Sequence, residues 1–104
     1  MKVEILSLEG CPNAEPAERA VMDALEALGI HAEVRRTVVR TEDEAARLDF
    51  HGSPTVRVDG RDVDPPPAGV TTSLTCRIYR EDGHLRGTPS EGKIRQALLA
   101  LNRT

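Results

Sequence analysis

A chain of 104 residues can close one hydrophobic core and is too short for two, so a single domain over residues 1–104 is expected. Its formal net charge of -3 leaves no concentrated basic face, and with 2% aromatic residues it has no material for base-stacking platforms; nucleic acid is set aside as a partner. No apolar stretch approaches a membrane span, which sets the membrane aside as well. The chain enters its first apolar segment without a signal-peptide core, which gives the cytoplasm as the expected location. In that reducing compartment two cysteines point to redox, metal or catalytic use rather than to a permanent staple.

Lys2 to Leu8 reads as a strand rich in Val, Ile and Leu with apolar residues on both faces, as a central strand requires. A helix follows, beginning near Asn13 or Ala14 so that Pro16 falls in its first turn. Ala17, Ala20, Val21, Ala24, Leu25 and Leu28 recur at three- and four-residue steps, and Gly29 supplies the stop. Ile30, Ala32 and Val34 alternate with His31, Glu33 and Arg35, giving a second strand with one polar face. Thr41-Glu42-Asp43-Glu44 is a capping box opening a short second helix that ends at His51-Gly52.

Thr55 to Val58 reads as a third strand, and Asp59-Gly60 as a tight turn into Arg61 to Asp64. Asp64 to Thr75, with Pro65-Pro66-Pro67, reads as an extended surface loop. Cys76 to Arg80 alternates again, with Cys76 and Ile78 on one face and Arg77 and Tyr79 on the other. Asp82-Gly83 is a second turn. Thr88-Pro89-Ser90-Glu91 reads as a capping box with Pro89 at the first helical position, serving either as a plain cap or as an anion site. The last helix carries Ile94, Ala97, Leu98 and Leu101 on one face.

Chemistry concentrates at Cys11, in Glu9-Gly10-Cys11-Pro12-Asn13-Ala14, where the first strand gives way to the first helix. A thiol there lies near the positive end of the helix dipole and its unpaired N–H groups, both of which favour the thiolate. The thiolate attacks disulfides and binds soft metals. Cys76 has two readings, a second functional thiol or a small hydrophobe facing the core beside Ile78. His51, beside Pro54, either assists the thiol or is a solvated residue at a helix end. His31 and His84 form no metal-ligand spacing with either cysteine.

The element order, the cysteine at the first helix start and Ser53-Pro54-Thr55 opening the third strand resemble the thioredoxin family over nearly the whole chain. The resemblance implies an α/β thioredoxin-like fold, with a mixed sheet of four to five strands flanked by about three helices. It also implies a cis bond before Pro54 and substrate contact through Pro12, Ser53, Pro54 and Thr55. The usual second cysteine of that family falls at Ala14, a departure shared with monothiol glutaredoxins.

Gly10-Cys11-Pro12-Asn13, the stretch Gly52 to Val63 and Cys76-Arg77-Ile78-Tyr79-Arg80 look like those of small bacterial thioredoxin-type proteins labelled alkylmercury lyase-like. In true organomercurial lyases two cysteines hold the metal and an acid three residues after the first protonates carbon. Ala14 occupies that place here.

Three functions follow from these residues. The first is a thiol–disulfide oxidoreductase with Cys11 as nucleophile and Cys76 or a small thiol as resolving partner, acting on a small-molecule thiol or a protein disulfide and needing no cofactor. The second is a soft-metal or organomercurial-binding protein using Cys11 and Cys76. The third is a non-catalytic interaction module. Counting chain reversals puts Cys76 at the same end of the sheet as Cys11. The proline loop, at about 3.3 Å per residue, could equally carry it across.

Overall fold

The architecture is organised around β1 (Lys2–Ser7), which is buried on both faces. The structure, a computed structural model, describes residues 1–102; Arg103 and Thr104, the end of the expected domain span, lie outside the described residues. β2 (Glu33–Val38) runs parallel to β1 on one side, β3 (Thr55–Val58) antiparallel on the other, and β4 (Arg61–Asp62) beyond it, giving the order β2-β1-β3-β4. Because successive strand residues point to opposite faces, Val3 and Ile5 enter one core and Leu6 another. The larger core joins them to Val21 and Leu25 of α1 (Ala14–Leu28), Val56 and Val58, and Ile94 and Leu98 of α3 (Glu91–Leu101). Leu6 meets Val39, Phe50 and Ala45 of α2 (Glu42–Arg47) in the smaller one. The expected α/β class is therefore present, with a four-stranded mixed sheet carrying two helices on one face and one on the other. No helix among the described residues is long and apolar enough to cross a membrane.

Several local signals act where they stand in the sequence. α1 begins at Ala14 with Pro16 in its first turn and ends at Gly29, whose φ of 66° no β-branched residue would hold. Thr41 caps α2, its hydroxyl accepting from the Glu44 N–H at 3.1 Å. The Glu44 carboxylate accepts in turn from the Arg40 N–H, at 3.3 Å, one residue further back than a standard box. Asp59 and Gly60, at φ 49° and 84°, form the left-handed pair that joins β3 to β4.

The structure corrects three expectations. The second strand starts at Glu33 rather than at Ile30, because the Ile30 N–H donates to the Leu25 carbonyl at 3.0 Å in closing α1 and is not free for the ladder. The last helix starts two residues later than expected: Ser90 is the cap, accepting from the Lys93 N–H at 3.1 Å, and Pro89 lies outside the helix.

The third correction concerns the last strands. Among the described residues β5 (Tyr79–Glu81) and β6 (His84–Arg86) pair only with each other, in a separate two-stranded sheet. β4 is two residues long and runs through Asp64 into three prolines, which cannot donate to a ladder, so the main sheet stops there. Cys76 joins no strand; it forms one isolated parallel bridge with Ser53.

Candidate functional site: two thiols and a strap at the end of β1

Cys11 occupies the tight turn between β1 and α1. Its N–H donates to the Leu8 carbonyl at 3.2 Å, and its own carbonyl accepts from the Ala14 N–H at 3.3 Å. Asn13, the residue before α1, makes no side-chain cap hydrogen bond, because its amide packs against Gly87, where a Cβ would lie 2.4 Å from Asn13 Nδ2. Cys11 is half-buried, Pro12 beside it is exposed, and both cysteines are free thiols. Ala14 is 1% exposed and offers no proton donor to this turn.

The Pro54 loop lies against Leu8, three residues before Cys11. The Ser53–Pro54 bond is cis, as the resemblance implies. Ser53 Oγ accepts from the Leu8 N–H at 2.9 Å, tying this loop to the turn that carries Cys11. Ser53, Pro54 and Thr55 are buried, and Thr55 Oγ1 donates to the Gly52 carbonyl at 2.7 Å. Of the four residues assigned to substrate contact, only Pro12 presents its side chain to solvent.

The backbone of Ser53 is also engaged. Its N–H donates to the Thr75 carbonyl at 2.8 Å, and its carbonyl accepts from the Arg77 N–H at 2.9 Å. Residues 73–77 thus lie as a strap along the Pro54 loop, with the Ser73 N–H on the Phe50 carbonyl at 3.2 Å. Gly52, at φ 138°, allows this approach: a Cβ there would stand 2.9 Å from Arg77 Cβ. The bridge brings Cys76 to the Cys11 end of the sheet through a continuous path of hydrogen bonds, Cys11 to Leu8, Leu8 to Ser53, and Ser53 to the strap.

The strap is anchored by a cluster that sequence reasoning missed. Arg77 Nη1 pairs with Asp62 Oδ2 at 2.7 Å, with only 9% and 14% of the two side chains exposed. The same guanidinium donates to the Asp64 carbonyl and to Thr55 Oγ1, and lies 4.5 Å from the centroid of the Tyr79 ring. Tyr79 Oη donates to the Pro54 carbonyl at 2.5 Å. The alternation from Cys76 to Arg80 is therefore present, and the structure decides which face is inward. Arg77 and Tyr79 point inward, while Ile78 is 70% exposed and Cys76 is exposed too, which removes the reading of Cys76 as a core residue. Asp62 and Asp64, two residues apart before the prolines, were the available clue to a buried arginine.

Burial pushes the Tyr79 phenol well above its ordinary value, outweighing the nearby Arg77 charge. The folded chain holds this proton more tightly than the unfolded chain does. Tyr79 thus contributes stability that is fully present below about pH 10 and is lost as pH rises above it. Tyr79 is the only tyrosine and there is no tryptophan, so phenolate absorbance reports it alone. At about pH 11 the native protein should show little of that absorbance and the urea-unfolded chain nearly all of it. Equal absorbance in the two states would place the phenol in water.

His51 is not directed at Cys11. Its Nδ1 lies 3.2 Å from the Thr71 carbonyl and its Nε2 lies 3.1 Å from Asp49 Oδ1, so it pins the proline loop. Cys76, Ile78 and Arg80 line an open groove of about 520 Å³ together with His51, Pro66 and Val70. Among the described residues no group of three or more His, Cys, Asp or Glu could hold a metal ion. No family model, curated protein or solved structure matches this chain.

Proposed function

We propose that this chain is a thioredoxin-like thiol–disulfide oxidoreductase with Cys11 as its nucleophile. The observation that carries the reading is the position of Cys11: a half-buried thiol at the strand-to-helix turn, three residues after Leu8, whose N–H is hydrogen-bonded to Ser53 of the Pro54 loop. The strand order β2-β1-β3-β4 with helices on both faces agrees with a thioredoxin-like fold. In the proposed cycle the Cys11 thiolate attacks one sulfur of a disulfide, that S–S bond breaks, and the released half leaves as a thiolate that takes a proton from solvent. A second thiol, Cys76 or a small thiol from solution, then attacks the mixed disulfide and releases the other half in reduced form.

Mass spectrometry after mild oxidation, with and without an added small thiol, tests this reading. The expected products are a Cys11–Cys76 disulfide without the small thiol and a Cys11 adduct with it. Two unmodified cysteines under both conditions would remove the proposal. The alternative of two-coordinate soft-metal capture by the same thiols predicts tight Hg(II) binding, lost on replacing either cysteine, without disulfide reduction.

A further inference from the structure

We infer that the disulfides this site accepts are low-molecular-weight ones and that the strap at residues 73–77 excludes polypeptides; the inference rests on the oxidoreductase reading above. An extended polypeptide docks on a protein by adding its backbone to free N–H and C=O groups at a sheet edge. At Ser7, Leu8, Cys11 and Ser53 several of those groups are already used. The Ser7 carbonyl accepts from the Val39 N–H at 2.8 Å, and the Leu8 N–H and carbonyl serve Ser53 and Cys11. Both backbone groups of Ser53 belong to the strap.

The strap is not a loosely lying loop. Arg77 holds it through the buried pair with Asp62, and Tyr79 fastens its far end to the Pro54 carbonyl. Gly52 lets it sit closer than any other residue would permit. A polypeptide would have to break these bonds before gaining its own. What the strap leaves open is the groove of about 520 Å³ beside Cys76, a size typical of small-molecule sites. Its lining includes apolar Pro66, Val70 and Ile78 together with Arg80 and Asp64, which suits a compact molecule carrying both apolar and polar groups.

In the reaction the Cys11 thiolate attacks a small disulfide, RSSR. One RS⁻ leaves and is protonated, and the Cys11–S–S–R bond forms. A small thiol, R′S⁻, then attacks the Cys11 sulfur, frees RS⁻ to be protonated to RSH and leaves Cys11–S–S–R′. Another R′S⁻ attacks the R′ sulfur, releases the Cys11 thiolate and forms R′SSR′, so two small thiols supply the two electrons consumed per turnover.

The test compares 2-hydroxyethyl disulfide with insulin, each with reduced glutathione as electron donor, for the wild type, Tyr79→Phe and Asp62→Asn. The wild type is expected to accelerate reduction of the small disulfide and not that of insulin. Tyr79→Phe removes one strap hydrogen bond and should raise insulin reduction about fivefold, with the small-disulfide rate within about twofold of wild type. Amide hydrogen exchange gives a readout independent of turnover, in which the Ser53 and Arg77 N–H groups should be protected in the wild type and less so in both variants.

Equal acceleration of both substrates by the wild type, unchanged in the variants, would overturn the strap inference while leaving the oxidoreductase reading intact. Arg77 N–H exchange as fast as that of the exposed turns would overturn it as well. No Cys11-dependent turnover of either disulfide would overturn the oxidoreductase reading and the inference with it.

Discussion

Arg77→Met is expected to destabilise the folded chain by about 3–5 kcal/mol. Methionine keeps most of the aliphatic volume, so the loss comes from the Asp62 carboxylate, only 14% exposed and left without its counter-charge. It also comes from the Asp64 carbonyl and Thr55 Oγ1, each deprived of a donor. Against a total of about 5–15 kcal/mol for a domain, this is a large share. The midpoint of thermal unfolding should fall by about 15 °C or more.

Urea unfolding followed by far-ultraviolet circular dichroism measures the effect, with Asp62→Asn as the partner variant. The double variant Arg77→Met/Asp62→Asn should cost clearly less than the sum of the two, because neither buried charge then stands alone. Additive losses, or a loss below about 1 kcal/mol for Arg77→Met, would show that the pair does not anchor the strap.

Cys11→Ser is expected to lower disulfide reduction by about 10³-fold or more, to the rate of uncatalysed exchange with the donor thiol. A serine hydroxyl is almost fully protonated near neutral pH and is a poor nucleophile toward sulfur. The substitution is nearly isosteric at a half-buried position, so unfolding free energy should shift by no more than about 0.5 kcal/mol. The separation of activity from stability makes the result informative. Cys76→Ser provides the contrast. A single turnover should still load the small half-disulfide onto Cys11, and release should then depend on the concentration of added thiol. Activity retained in Cys11→Ser and lost in Cys76→Ser would transfer the nucleophile to the strap.

Local signals in the sequence located most of the scaffold. Apolar periodicity marked β1 and α1, Thr41 opened α2, Gly29 closed α1, and the two Asp-Gly pairs marked the turns at 59–60 and 82–83. Each of these works through neighbours within a few residues, and such signals survive in any tertiary setting. The failures were long-range. Nothing local in Cys76 to Arg80 says that a charged residue faces inward, because Arg77 is buried only by virtue of Asp62, fifteen positions earlier. Alternation separated Cys76 and Ile78 from Arg77 and Tyr79 and left open which pair faces inward; the ion pair assigns the inner face to Arg77 and Tyr79. The position of Cys76 was likewise undecidable from the proline loop, whose reach allowed both ends of the sheet. The Ser53 bridge, a contact between backbones, decides it.

The scarcity of aromatic residues has an optical consequence. Phe50 and Tyr79 are the chain's only aromatic side chains, and both are buried at fastening points of the strap. The Phe50 carbonyl receives the Ser73 N–H, and the Tyr79 hydroxyl reaches the Pro54 carbonyl. With both thiols reduced, the near-ultraviolet circular dichroism of the protein arises from this one neighbourhood and from nothing in the larger core. Opening of the strap should erase that signal while the far-ultraviolet spectrum of the helices stays unchanged. The native chain thus carries an unlabelled local reporter at its candidate site.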